Sequence, residues 1–148
     1  MAQGVYTNRL KLAADSLGGG GPADADSTRD KPPLILVVDD DADVRDLAST
    51  ILREAGYRVL EAGTGHHGLK LFEDHPEVDL IFTDLVMPGL DGFKLADMTK
   101  FRRPTVKILY ATAYMDVARD KLGVVHGEIL HKPYRAAQLE ALVKQTLG

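Results

Sequence analysis

The 148-residue chain contains no cysteine, which excludes disulfides, thiol chemistry and cysteine-ligated zinc. It also lacks any long apolar run. The longest is LILVV at 34–38, far short of the ~20 residues that cross a membrane. No basic stretch followed by an apolar one opens the chain, so secretion is not expected and the cytoplasm is the default location. Basic residues are in deficit, 18 against 22 acidic, for a formal charge of −4. A nucleic-acid-binding surface usually carries the opposite excess. Neither nucleic acid nor membrane is therefore an expected partner. What is present, 45% hydrophobic and 27% charged residues, suits one soluble globular domain with a real core.

The composition shifts near residue 32. Residues 1–31 hold GGGG at 18–21 and the polar PADADSTRDK, which read as a flexible linker. Before it, Tyr6, Leu10, Ala13, Ala14 and Leu17 could line one face of a short helix over 5–17. Residues 1–31 balance four acidic against four basic groups, so the whole negative excess lies in 32–148.

From residue 33 onward, strand-like and helix-like segments alternate. Strands are predicted at LILVV (34–38), RVLEA (58–62), LIFT (80–83), VKILYA (106–111) and EIL (128–130). Helices are predicted over 43–55, His67–Glu73, Phe93–Phe101, 115–122 and Ala136–Leu147. The first is expected to bury Val44, Leu47, Ala48, Ile51, Leu52 and Ala55, with Gly56 as its stop. Five βα units with mostly apolar strands point to an α/β fold, a parallel sheet covered by helices on both faces. Right-handed crossovers make this a flavodoxin-like doubly wound five-stranded sheet of order 2-1-3-4-5.

Such a sheet gathers the carboxyl ends of its strands on one edge, where ligands bind. Asp39 and Asp40 follow the first strand, Asp84 the third, Thr112 the fourth and Lys132 the fifth. Asp41 and Asp43 complete a run of four aspartates in five positions; these two suit a helix start, where carboxylates complement the dipole. Hard oxygen ligands without His or Cys favour Mg²⁺. An ammonium and a hydroxyl suit phosphoryl oxygens, and Asp84 could itself be a nucleophile forming an aspartyl phosphate. With no ATP-binding loop, the phosphoryl group would come from an external donor. The spacing of His66, His67, His75, His126 and His131 suggests no metal site.

In this order, LILVVDDD, FTDLVMPGLDG, ILYATA and ILHKPY resemble a response-regulator receiver domain of two-component signalling over residues 33–148. The resemblance implies that Asp39 and Asp40 are the acidic pair and Asp84 the phosphoacceptor. It makes Asp39, Asp40, Asp84 and the backbone carbonyl of Val86 the Mg²⁺ site. It also makes Thr112 and Lys132 the residues that meet the phosphoryl group, and implies a cis Lys132–Pro133 bond. Pro88, Gly89, Asp91 and Gly92 would shape the loop beside the site as turn-makers, proline fixing φ and the glycines permitting φ above zero, and the small Ala113 would leave a path for a donor phosphohistidine. Expected partners are a sensor histidine kinase or histidine phosphotransfer protein and a downstream protein target; a homodimer is open. The chain would be a single-domain phosphoacceptor or a receiver excised from a hybrid kinase, not a turnover enzyme.

Two departures from the family pattern stand out. Most receivers carry Tyr or Phe three residues before the site lysine, where this chain has Ile129. Tyr110 and Tyr114 flank Thr112 instead, so transmission is expected through the 112–127 segment, with residues 115–127 becoming ordered on phosphorylation. Val86 and Tyr114, two after Asp84 and two after Thr112, stand where residues of this family flank the phosphoryl group; one is apolar and one bulky, with no obvious way to orient an attacking water, so autodephosphorylation should be slow. The alternatives are a receiver-like interaction module working without phosphorylation and a haloacid-dehalogenase-type phosphatase using Asp39-Asp40-Asp41. The latter is disfavoured because Asp43 replaces its Thr or Val and no cap domain fits. A flavin-mononucleotide carrier is excluded by the aspartates, which would repel its phosphate.

Overall fold

The computed structural model describes residues 31–120 and 125–148. The expected N-terminal helix and linker, and residues 121–124 of the 115–127 segment, lie outside the described residues. The elements are β1 (Leu34–Val38), α1 (Ala42–Glu54), β2 (Arg58–Ala62), α2 (Gly65–Asp74) and β3 (Val78–Asp84), then α3 (Gly92–Arg102), β4 (Lys107–Thr112), α4 (Met115–Asp120), β5 (Ile129–His131) and α5 (Ala136–Leu147). All strand pairs are parallel, in the order β2-β1-β3-β4-β5. This is the doubly wound arrangement expected from the alternation of elements.

β1 is buried along its whole length because both of its faces are covered, the reason its sequence is apolar without alternation. Leu34, Leu36 and Val38 face one core with Phe72 of α2 and Leu95 of α3. Ile35 and Val37 face the other, with Leu52 of α1 and Leu139 of α5. The period of two along the strand thus divides one apolar run between two helical layers.

Several boundaries differ from the sequence reading, each for a local reason. β3 runs from Val78 to Asp84, and β4 and β5 extend to Thr112 and His131, so three polar residues expected just past strands are their last residues. α2 starts at Gly65 because the Thr64 hydroxyl caps it, accepting the His67 N–H at 3.0 Å. In α1 the buried residues are Ala48, Ser49, Ile51 and Leu52, whereas Leu47 is 56% exposed and Ala55 is exposed too. Close packing against the sheet takes the small flank, Ala48 and Ser49, and turns the bulky Leu47 toward solvent. Gly56 does end the helix, at φ +99°.

Ser49 pays for that choice: its Oγ is buried without a hydrogen-bond partner. Removing an unsatisfied buried hydroxyl relieves its desolvation cost. Ser49→Ala should therefore raise stability by about 1 kcal/mol, read as a higher urea midpoint at unchanged slope.

Candidate functional site

The site is assembled by the sheet's own ladder. Asp39 N–H donates to Ala62 O at 3.1 Å, Leu85 N–H to Ala111 O at 3.0 Å and Lys132 N–H to Thr112 O at 2.8 Å. These bonds bring the ends of β1, β3, β4 and β5 to one edge. There Asp39, Asp40 and Asp84 each offer a carboxylate oxygen within 4.8 Å of the others. Lys132 Nζ lies 2.8 Å from Asp39 Oδ2 and 3.5 Å from Asp84 Oδ2.

The three carboxylates are not equivalent. Asp39 is buried, and both of its oxygens are engaged: Oδ1 accepts the Asp41 N–H at 2.9 Å and Oδ2 faces Lys132. Arg45 of α1 holds the same residue through its carbonyl, at 2.7 Å. Asp40 is exposed. Asp84 lies between, its side chain 11% exposed. Asp41 is the N-cap of α1, accepting from Asp43 N–H and Val44 N–H, and Asp43 lies in the first turn. The helix-start reading of those two residues agrees with this geometry.

Charge balance shows in the titration of the site. Burial pushes the Asp84 carboxyl above its ordinary range; Lys132 opposes this, Asp39 adds to it, and the Val86 N–H hydrogen bond also opposes it. For Lys132, burial alone would lower the pKa, but the hydrogen bond and charge of Asp39, joined by Asp84, more than offset it and the net direction is upward. One ammonium therefore serves two carboxylates, Asp39 and Asp84.

Thr112 is fully buried and its Oγ1 accepts the Tyr114 N–H at 2.9 Å. Val86 is 41% and Tyr114 62% exposed, and Ala113 is exposed beside them. The Lys132–Pro133 bond is cis. In the loop after Asp84, Gly89 has φ +76°, as its turn role requires. Gly92 is needed for a different reason from the expected positive φ: a Cβ there would stand 2.2 Å from the Asp84 carbonyl oxygen. The N-terminus of α3, capped by Asp91, can approach the strand end only without a side chain. The histidines gather no metal cluster among the described residues.

One residue was not singled out from sequence. Tyr134 packs edge-on against Phe82, ring centroids 5.9 Å apart. Its phenol is pushed up to about 12 by burial and by the charges of Asp39 and Asp84. Its position directly after Lys132–Pro133 was the available signal.

Residues 35–144 match the family model described as the response regulator receiver domain. The chain belongs to that family. Receiver sequences similar to it include a probable transcriptional regulator, ycf27, of Porphyridium aerugineum, 34% identical over 76% of this chain and 47% of that protein. Another is the uncharacterized transcriptional regulatory protein YrkP of Bacillus subtilis, 35% identical over 74% of this chain and 47% of that one. The chain thus spans about half the length of these relatives. Among solved structures, the response regulator TrrA of Thermotoga maritima in complex with Mg²⁺ and a beryllium fluoride superimposes with a TM-score of 0.71 at 32% identity, covering 77% of this chain and 98% of that one.

The raised Asp84 pKa carries a definite sign. A carboxyl that ionises later in the folded than in the unfolded chain costs stability as pH rises from the ordinary value, ~3.9, through the raised one, and the full cost persists above it. At neutral pH, Asp84→Asn should be more stable than the wild type. The difference should shrink as pH falls into the carboxylate range and vanish below it, as measured by urea midpoints across pH.

Proposed function

We propose that this receiver domain accepts a phosphoryl group on Asp84, in a Mg²⁺-dependent reaction, from a histidine kinase or a histidine phosphotransfer protein, and signals by protein contact. The observation that carries the reading is the division of labour among the carboxylates. Asp39 is committed to Lys132 and to the Asp41 N–H, Asp40 is open to solvent, and Asp84 stands between them, part-exposed and farther from Lys132 than Asp39 is, at 3.5 against 2.8 Å. The same division speaks against Asp39 as a phosphatase nucleophile.

The donor set suits a hard divalent cation: three carboxylates with a single ammonium leave negative charge uncompensated. Asp40 and Asp84 would hold Mg²⁺ through their side chains and Val86 through its carbonyl, with Asp39 beside them. When bound, the ion supplies neutralisation of the carboxylates and of the incoming phosphoryl oxygens. The chain's own residues do the rest. A carboxylate oxygen of Asp84 attacks phosphorus, an acyl phosphate forms, and the P–N bond breaks with its electron pair staying on the donor imidazole. Lys132 meets one phosphoryl oxygen as a point charge. Thr112 can donate to another once its hydroxyl proton turns inward, while its oxygen still accepts from Tyr114 N–H. Catalysis is positioning and charge stabilisation.

Val86 and Tyr114, at the positions expected to flank the phosphoryl group, are one apolar and one bulky, and both are exposed. Neither orients an attacking water, so the acyl phosphate is long-lived. Intact-mass analysis after incubation with a small acyl phosphate and Mg²⁺ tests both statements. One phosphoryl adduct should form, be absent in Asp84→Asn and without Mg²⁺, and decay several-fold faster in Val86→Asn. No adduct would favour an interaction module that works unphosphorylated; an unchanged lifetime in the variant would remove the flanking-residue account.

A further inference from the structure

Tyr110, His126 and Asp97 play no part in the chemistry above, yet they are joined. Tyr110 lies on β4 two residues before Thr112, so both side chains leave the same face of the sheet. It is fully buried. Its ring packs against Phe93 of α3 at 6.1 Å between centroids. Its hydroxyl accepts the backbone N–H of His126 at 3.0 Å. The His126 ring then meets Asp97 Oδ1, on α3, at 2.7 Å.

The loop that carries His126 is pressed onto β4. A Cβ at Gly127 would stand 1.8 Å from the Ile108 carbonyl oxygen, so backbone rests directly on backbone. Tyr110 N–H also donates to Glu128 O at 2.9 Å. Tyr110 and Ile129 are register partners on adjacent strands. The aromatic ring that most receivers are expected to carry at position 129 is thus replaced by one on the neighbouring strand. That ring is already buried, and its hydroxyl is already engaged.

We infer that Tyr110, His126 and Asp97 form a latch that carries the state of the acidic pocket from the end of β4 to α3 and to the loop before β5. A swinging side chain has no part in it. Displacement of Thr112 moves a strand whose next inward-facing residue is held at both ring and hydroxyl, and a close-packed core passes such a shift on. It reaches the His126 N–H and, through the ring, the Asp97 contact. Asp97 and His126 have side chains 60% and 34% exposed, so a partner can read their contact. The coupling rests on the phosphoacceptor reading; the existence of the latch does not.

Nuclear magnetic resonance on the full chain separates the two. In the untreated protein, the His126 amide should exchange about tenfold faster in Tyr110→Phe, which keeps the ring and loses only the acceptor. Asp97→Asn should give a smaller acceleration. Equal rates in wild type and Tyr110→Phe overturn the latch. With Mg²⁺ and beryllium fluoride, His126 amide and ring resonances should shift in the wild type, and this shift should be lost in Tyr110→Phe although the variant still forms the phosphoryl adduct by mass. A shift of full size in the variant, or none in a wild type that forms the adduct, overturns the coupling. If no adduct forms in either protein, the phosphoacceptor reading fails, and the exchange rates of the untreated chains still decide the latch.

Discussion

Like charges crowded at one edge of the sheet set the terms for everything else here. Three carboxylates lie within 4.8 Å of one another with one lysine between two of them. Left alone, such a group repels itself and resists desolvation. The fold holds it in place because the ends of β1, β3, β4 and β5 are fixed by backbone bonds and by cores on both faces, none of which involves the charged groups. Burial energy from apolar strands sustains an arrangement that electrostatics opposes. The raised Asp84 pKa is the residual sign of that conflict. A divalent cation is the ligand that would resolve it.

Much of this was legible in the sequence, because it depends on features that a one-dimensional pattern preserves. Apolar runs at βα spacing give the strand order, and strand order alone brings Asp39, Asp40, Asp84, Thr112 and Lys132 to one edge. Asp41 and Asp43 could also be told from the three clustered carboxylates by their place at a helix start. The parts that were missed depend on distances across the fold. Leu47 reads as core on hydrophobicity alone, whereas the buried face of α1 runs through Ala48, Ser49, Ile51 and Leu52 and leaves Leu47 at its edge. Gly92 was assigned a backbone angle, when its real constraint is the carbonyl of Asp84. Tyr134 owes its surroundings to Phe82 and Asp84 of β3 and to Asp39 just past β1, all distant in sequence.

The exchange of an aromatic residue between strands has the same character. Sequence shows Ile129 and Tyr110 as two separate oddities. Their register pairing makes them one substitution, a ring moved one strand inward with its hydroxyl fastened to the loop beyond. A receiver built this way has its carboxylates and lysine together at the pocket and would alter the route by which their state is read.

The central claim is that the acidic edge is a divalent-cation site whose occupancy relieves carboxylate repulsion. Thermal unfolding at pH 7 as a function of Mg²⁺ concentration tests it without any phosphodonor. Binding to the folded state alone raises the midpoint in a saturable way. The wild type should show that rise, and Asp40→Asn, which removes the solvent-facing ligand without disturbing the Asp39–Lys132 pair, should show little of it. A wild-type midpoint that does not move with Mg²⁺, or an equal rise in the variant, would contradict the account.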